Sequence, residues 1–123
     1  MPRSSAAPKR RERSGPRLRY REHGRSLGIV RARLEAADIA GRMAEVPEWE
    51  QVGDEIVRTF ECPDFPAAIA FVVRIGFLAE AKDHHPDLDI RWRKVKVALS
   101  THSEGGLTNR DFDLASEIEG LGG

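Results

Sequence analysis

Between residues 35 and 121 the apolar side chains recur with two different periods, and each change of period marks an element. Ala36, Ile39, Ala40 and Met43 fall at helical spacing within Glu35–Ala44, which predicts a helix with one apolar face. Pro47 ends it. Trp49–Val52 and Glu55–Phe60 are rich in β-branched and aromatic residues and flank Gly53-Asp54. That pattern predicts a β-hairpin with a tight turn, closed by Pro63. Asp64 is a good N-cap and Pro66 follows in the first turn, where a missing N–H does no harm. A long helix is therefore predicted from there to about Lys82 or Asp83. Phe65, Ile69, Val72 and Gly76 form one stripe along it, with Phe71, Ile75 and Leu78 beside them. The apolar arc is wider than one core-facing stripe needs, so one side is expected on the sheet and the other against a partner subunit.

From Leu88 to Thr101 the chain reads as extended. Val95, Val97 and Leu99 alternate with Lys94, Lys96 and Ser100, the period of a strand with one buried face. If that alternation persists, His102 projects away from the apolar face. Gly105-Gly106 breaks the strand. A last helix opens on Thr108 as N-cap, with Asp111 three residues on and Leu107 and Phe112 placed as a hydrophobic staple. Ala115 and Ile118 continue its buried face and Gly120 is expected to end it. Helix, two strands, helix, one or two strands, helix is the order of an α+β domain. An antiparallel sheet of about four strands with helices packed on one face is expected.

Charge divides the chain where periodicity does not. Net charge is zero over 123 residues, but residues 1–33 carry 11 Arg or Lys against two Glu, and the remainder nine against 18 acids. Residues 1–28 are rich in Arg, Ser, Pro and Gly and are expected to be a disordered basic extension, ahead of a single domain over 29–123. An organelle transit peptide, an electrostatic nucleic-acid contact through Lys9–Arg13, and a translation start near Val30 are the other readings of that segment. Nucleic acid is not the expected partner of the domain itself. One cysteine, Cys62, cannot form an internal disulfide and points to a reducing, cytoplasmic setting. No apolar run reaches the roughly 18 residues needed to cross a bilayer.

The chemistry concentrates in Asp83-His84-His85-Pro86 and Ser100-Thr101-His102, which hold three of the four histidines. Histidine gives and takes protons near neutral pH, so the cluster points to proton transfer. Zinc is the rival, but adjacent histidines do not readily aim two nitrogens at one ion and the i, i+4 spacing is missing. No metal and no cofactor is expected. Asp111 has a capping role available as well as a site role.

The order Glu80, Asp83, His84, His85, Pro86, Trp92, His102, Asp111 resembles the signature of the pterin-4a-carbinolamine dehydratases, and the window from Trp49 to Leu121 is similar to that family along its length. The resemblance implies the fold of that family and an enzyme, a 4a-hydroxytetrahydrobiopterin dehydratase. It would convert the carbinolamine to quinonoid dihydropterin and water, in recycling of tetrahydrobiopterin for an aromatic amino-acid hydroxylase. It implies His84 and His102 as acid/base groups and His85 as a binding and orienting group. Asp83 would bind the pterin or hold a neighbouring imidazole in one tautomer. Ser100 and Thr101 would meet polar atoms of the substrate, and Trp92 and Asp111 would line its site, Trp92 as core or pocket wall. A homodimer or homotetramer is implied. Relatives that serve as transcription-factor dimerisation partners or chaperone-like modules supply the non-catalytic alternative. Asp87-Leu88-Asp89 is more acidic and less aromatic than the common pattern, a change expected at the pocket rim.

Overall fold

A computed structural model describes residues 32–122; the extension expected at 1–28 lies outside the described residues. The elements are α1 (Ala36–Met43), β1 (Glu50–Val52), β2 (Glu55–Glu61), α2 (Phe65–Lys82), β3 (Asp87–Arg91), β4 (Lys94–Leu99), a 3-10 turn (His102–Glu104) and α3 (Asn109–Leu121). The four strands form one antiparallel sheet in the order β1-β2-β4-β3. The α+β architecture is the one the periodicity predicts.

Register explains how the sheet is covered. Ile56 pairs with Leu99, Arg58 with Val97 and Phe60 with Val95, so these residues share one face. That face packs against Phe71 and Ile75 of α2 and Phe112, Leu114 and Ile118 of α3 in one buried cluster. Fully burying each such side chain contributes about 1.5–3 kcal/mol. Trp49 meets Phe60 edge-on at 6.1 Å between ring centroids, and its indole N–H donates to Glu119 at 2.9 Å. Arg58 pairs with the same carboxylate, so α3 is tied over β2. Arg42 of α1 donates to Asn109 and Asp113 of α3 at 2.8 and 2.9 Å.

Two turns join the strands by different means. Gly53 has φ +61° in the β1–β2 turn, a conformation that glycine adopts without steric cost. The β3–β4 turn is Trp92-Arg93, with Trp92 at φ +56°. A bulky residue there is strained. Trp92 is also 67% exposed, which overturns its assignment as core or pocket wall: the two-residue turn projects the ring outward, where the Arg93 guanidinium stacks on it at 4.8 Å.

Helix ends differ in detail from expectation. Asp64 accepts from the Ala67 N–H at 2.9 Å, as an N-cap should. The last helix runs through Gly120 to Leu121, with Gly122 left-handed at φ +75°. A glycine within a helix is tolerated when the following turn still closes.

Candidate active site

The site is built where α2 ends, β4 ends and α3 begins. α2 closes with Asp83 in a left-handed conformation, φ +53°, ψ +43°, its N–H donating to the Ala79 and Glu80 carbonyls. The His84 N–H also donates to the Ala79 carbonyl, at 3.1 Å. That paired closure turns the chain sharply, so His84 points inward while His85 stays outside. After β4, Thr101 and Gly106 bond each other's backbone in both directions, at 3.1 and 3.3 Å. The loop between them contains the 3-10 turn that opens on His102. It is held from outside by Arg33, which donates to the Gly105 carbonyl at 3.1 Å. A Cβ at Gly106 would come within 2.7 Å of the Arg33 side chain, which would have to shift to admit it.

Asp111 ties these segments together. Its Oδ1 accepts from His84 Nε2 at 2.5 Å. Its Oδ2 accepts the Thr101 hydroxyl at 2.8 Å and the Thr108 N–H at 3.0 Å. The Thr101 and Thr108 hydroxyls are 2.8 Å apart; since the Thr101 proton goes to the carboxylate, Thr108 donates to Thr101. Asp111 is 0% exposed and His84 8%. A buried carboxylate needs this density of donors, because an unsatisfied one carries a large desolvation penalty. The capping reading of Asp111 holds on Oδ2, while Oδ1 meets His84.

The other expected residues occupy different surroundings. His85 is exposed, and its Nε2 meets Glu80 at 2.9 Å. His102 is exposed on the opposite side of the chain from buried Thr101, as alternation implies, although β4 ends at Leu99 and does not carry it. Ser100 is half-buried between β4 and the loop. Thr101 differs from its assignment as a substrate contact, since its hydroxyl proton and backbone are committed to Asp111, Thr108 and Gly106. Asp83 is exposed; the carboxylate that holds His84 is Asp111, drawn in by the α3 capping box. Trp92 lies at the far end of β3 from His84 and His85, since the five strand residues Asp87–Arg91, at about 3.3 Å each, separate it from Pro86. Asp87 and Asp89 pair opposite Ala98 and Lys96, which puts them on the sheet face away from the helices. Neither Thr108 nor Arg110 is an expected site residue, and both meet the site; the capping signal at Thr108 was the clue to the first.

One imidazole, His84, is thus buried against Asp111, while His85 and His102 lie at the surface, each next in the chain to a residue that Asp111 holds, His84 and Thr101. A half-open cavity of about 360 Å³ lies instead beside the start of α1 and the Gly53-Asp54 turn, and no histidine lines it. Lys82, two residues before His84, pairs with Glu117 of α3 at 2.6 Å, and that hydrogen bond holds its ammonium above the usual lysine range. Among the described residues no group of three or more His, Cys, Asp or Glu side chains is placed to hold a metal ion. No described helix is long and apolar enough to cross a membrane.

The sequence profile of a family described as pterin 4 alpha carbinolamine dehydratase matches residues 32–121. A protein of Roseiflexus sp. strain RS-1, named by inference as a pterin-4-alpha-carbinolamine dehydratase, is 56% identical over 87 residues, 71% of this chain and 94% of that one. A similarly named protein of Chloroflexus aurantiacus is 54% identical over 91 residues, 74% of this chain and 98% of its own. The crystal structure of a transcriptional coactivator/pterin dehydratase from Brucella melitensis superposes with a TM-score of 0.71 at 31% identity, covering 74% of this chain and 99% of that one. A pterin dehydratase-like RuBisCO assembly factor of the alpha-carboxysome shares the fold at 17% identity and a TM-score of 0.51, over 61% of this chain and 87% of that one. The chain therefore belongs to the pterin-4-alpha-carbinolamine dehydratase family.

Proposed function

We propose that this protein dehydrates a pterin 4a-carbinolamine, and that His84, held by Asp111, and His102 carry the proton transfers. Hydroxide leaves poorly, so an acid must deliver a proton to the C4a hydroxyl as the C–O bond breaks. A base or solvent then takes the proton that the ring releases as it becomes the quinonoid dihydro form, and water departs. Each positioned acid or base contributes typically about 10²–10⁴-fold.

The observation that carries the reading is the 2.5 Å contact between His84 Nε2 and buried Asp111. A carboxylate there accepts the Nε2 proton and fixes the ring orientation, leaving Nδ1 as the nitrogen for a substrate. His102, one residue beyond Thr101, supplies a second imidazole from a separate element. Exposed His85, paired to Glu80, suits binding and orientation of the heterocycle. Ser100 offers a polar contact beside it. Family membership supports the substrate class, and recycling of tetrahydrobiopterin for an aromatic amino-acid hydroxylase in the cytoplasm is the role we assign.

The same reading includes self-association. Phe65, Ile69, Val73 and Phe77 recur every four residues on α2 and are all exposed, Phe77 by 77%. A continuous apolar stripe of this kind on a small domain is the mark of an interface, and a second copy supplies its match by symmetry. A stopped-flow assay of synthetic carbinolamine, with and without the protein, tests the activity. Faster formation of quinonoid product is expected; an unchanged rate would leave only a binding module on this fold.

A further inference from the structure

Arg110 has no local reason to be where it is. It occupies the second position of α3, where the helix dipole favours anions and opposes a cation. Asp111, its neighbour, obeys that rule. A residue that breaks a local rule without local gain is expected to act elsewhere in the fold.

Its partners lie at the end of the other long helix. The Arg110 guanidinium donates to the Asp83 carbonyl and approaches the Lys82 carbonyl at 3.4 Å. Those are among the carbonyls that a terminating α-helix leaves without an internal partner. They sit at the negative end of the α2 dipole, where a cation is favoured. Asp83 is itself left-handed without being glycine, a conformation that persists only when its surroundings hold it.

The register of these contacts gives them a purpose. Arg110 and Asp111 are consecutive, and so are Asp83 and His84. The first pair grips the second at two points, guanidinium to backbone and carboxylate to imidazole. We infer that Arg110 is a positioning residue for the dehydration, locking the left-handed end of α2 so that the His84 ring meets Asp111. The inference rests on the proposed acid/base role of His84. Arg110 needs no contact with substrate: one terminal guanidinium nitrogen, Nη2, reaches both carbonyls, and the planar guanidinium is pre-organised for such contacts where a flexible lysine stem is not. Misplacement of a catalytic group by about 1 Å can cost on the order of 10²-fold in rate.

The experiment compares Arg110→Met, Arg110→Lys and Glu117→Gln in the full chain. Glu117→Gln breaks the adjacent α2–α3 ion pair with Lys82 but leaves the Asp83 carbonyl gripped, so it controls for general loosening between the helices. Expected are a kcat loss of about 10²-fold for Arg110→Met with KM within about threefold, a smaller loss for Arg110→Lys, and an unchanged kcat for Glu117→Gln. In ¹⁵N-edited spectra the hydrogen-bonded His84 Nε2 signal should shift in Arg110→Met and stay in Glu117→Gln. An unaltered kcat and ring signal in Arg110→Met would overturn the inference, as would an equal kcat loss in Glu117→Gln. A wild-type protein without turnover would defeat the proposed activity instead, and the ring signal would still decide whether Arg110 positions His84.

Discussion

His84 Nε2 and Asp111 Oδ1 meet at 2.5 Å, between residues 27 apart in sequence, in a place nearly closed to water. The ring N–H donates and the carboxylate accepts. The other carboxylate oxygen caps α3 through the Thr108 N–H. Stability of the last helix and the orientation of the buried imidazole therefore depend on one side chain.

Asp111→Asn separates the two roles. The amide oxygen can still accept from Thr108 and Thr101, but the amide NH₂ then faces His84 Nε2 and forces the ring proton onto Nδ1. Turnover should fall about 10²–10⁴-fold, with the tautomer change visible by ¹⁵N spectroscopy. Asp111→Ala should in addition destabilise the fold by about 1–3 kcal/mol for each buried donor left without a partner, read by thermal unfolding. Equal turnover in Asp111→Asn and wild type would remove Asp111 from the mechanism.

Replacement of the exposed histidines separates chemistry from folding in another way. His85→Ala and His102→Ala remove surface side chains, so each should change stability by less than about 0.5 kcal/mol. His102→Ala should lower kcat, and His85→Ala should mainly raise KM. By contrast, His84→Ala strands a buried carboxylate and should cost about 3–5 kcal/mol, which makes His84→Gln the better kinetic probe. Full activity in His102→Ala would leave His84 as the sole imidazole in the proton transfers.

Trp92→Gly tests strain at the β3–β4 turn. The left-handed backbone costs a non-glycine residue roughly 1–2 kcal/mol, and the contact with Arg93 returns only about 0.5–1 kcal/mol at an exposed site. Glycine should raise the melting temperature by a few degrees and leave turnover unchanged, since the turn lies at the far end of β3. A drop in turnover would return Trp92 to the site.

Phe77→Glu tests the α2 stripe. Charge at its most exposed position should abolish the proposed self-association in sedimentation velocity at micromolar concentration, with little change in the monomer's circular dichroism. Identical sedimentation of variant and wild type would place the contact elsewhere.

Local patterns made most of the fold legible. The alternation of Val95, Val97 and Leu99, the Asp64 cap with Pro66, and the Thr108–Asp111 capping box each depend on neighbours within a few residues, and each stands where spacing places it. The β3–β4 turn was not legible, because Trp92-Arg93 contains no residue suited to a positive φ and the sheet imposes the turn through the pairing of Arg91 with Lys94. The end of α3 moved past Gly120 for a similar reason: a glycine permits a helix end without compelling one.

For the site, the sequence by itself determined which residue types are available: three imidazoles, the carboxylates of Asp83 and Asp111, and the hydroxyls of Ser100 and Thr101. Only the tertiary structure decided which of them meet. Docking the start of α3 against the end of α2 selects Asp111 over adjacent Asp83 as the partner of His84, turns Thr101 from a ligand contact into a support, and brings in Arg110, which no local pattern marks. The physical reason is that periodicity and capping act over one or two helical turns, whereas a buried carboxylate takes its donors from whatever elements the core packing brings around it.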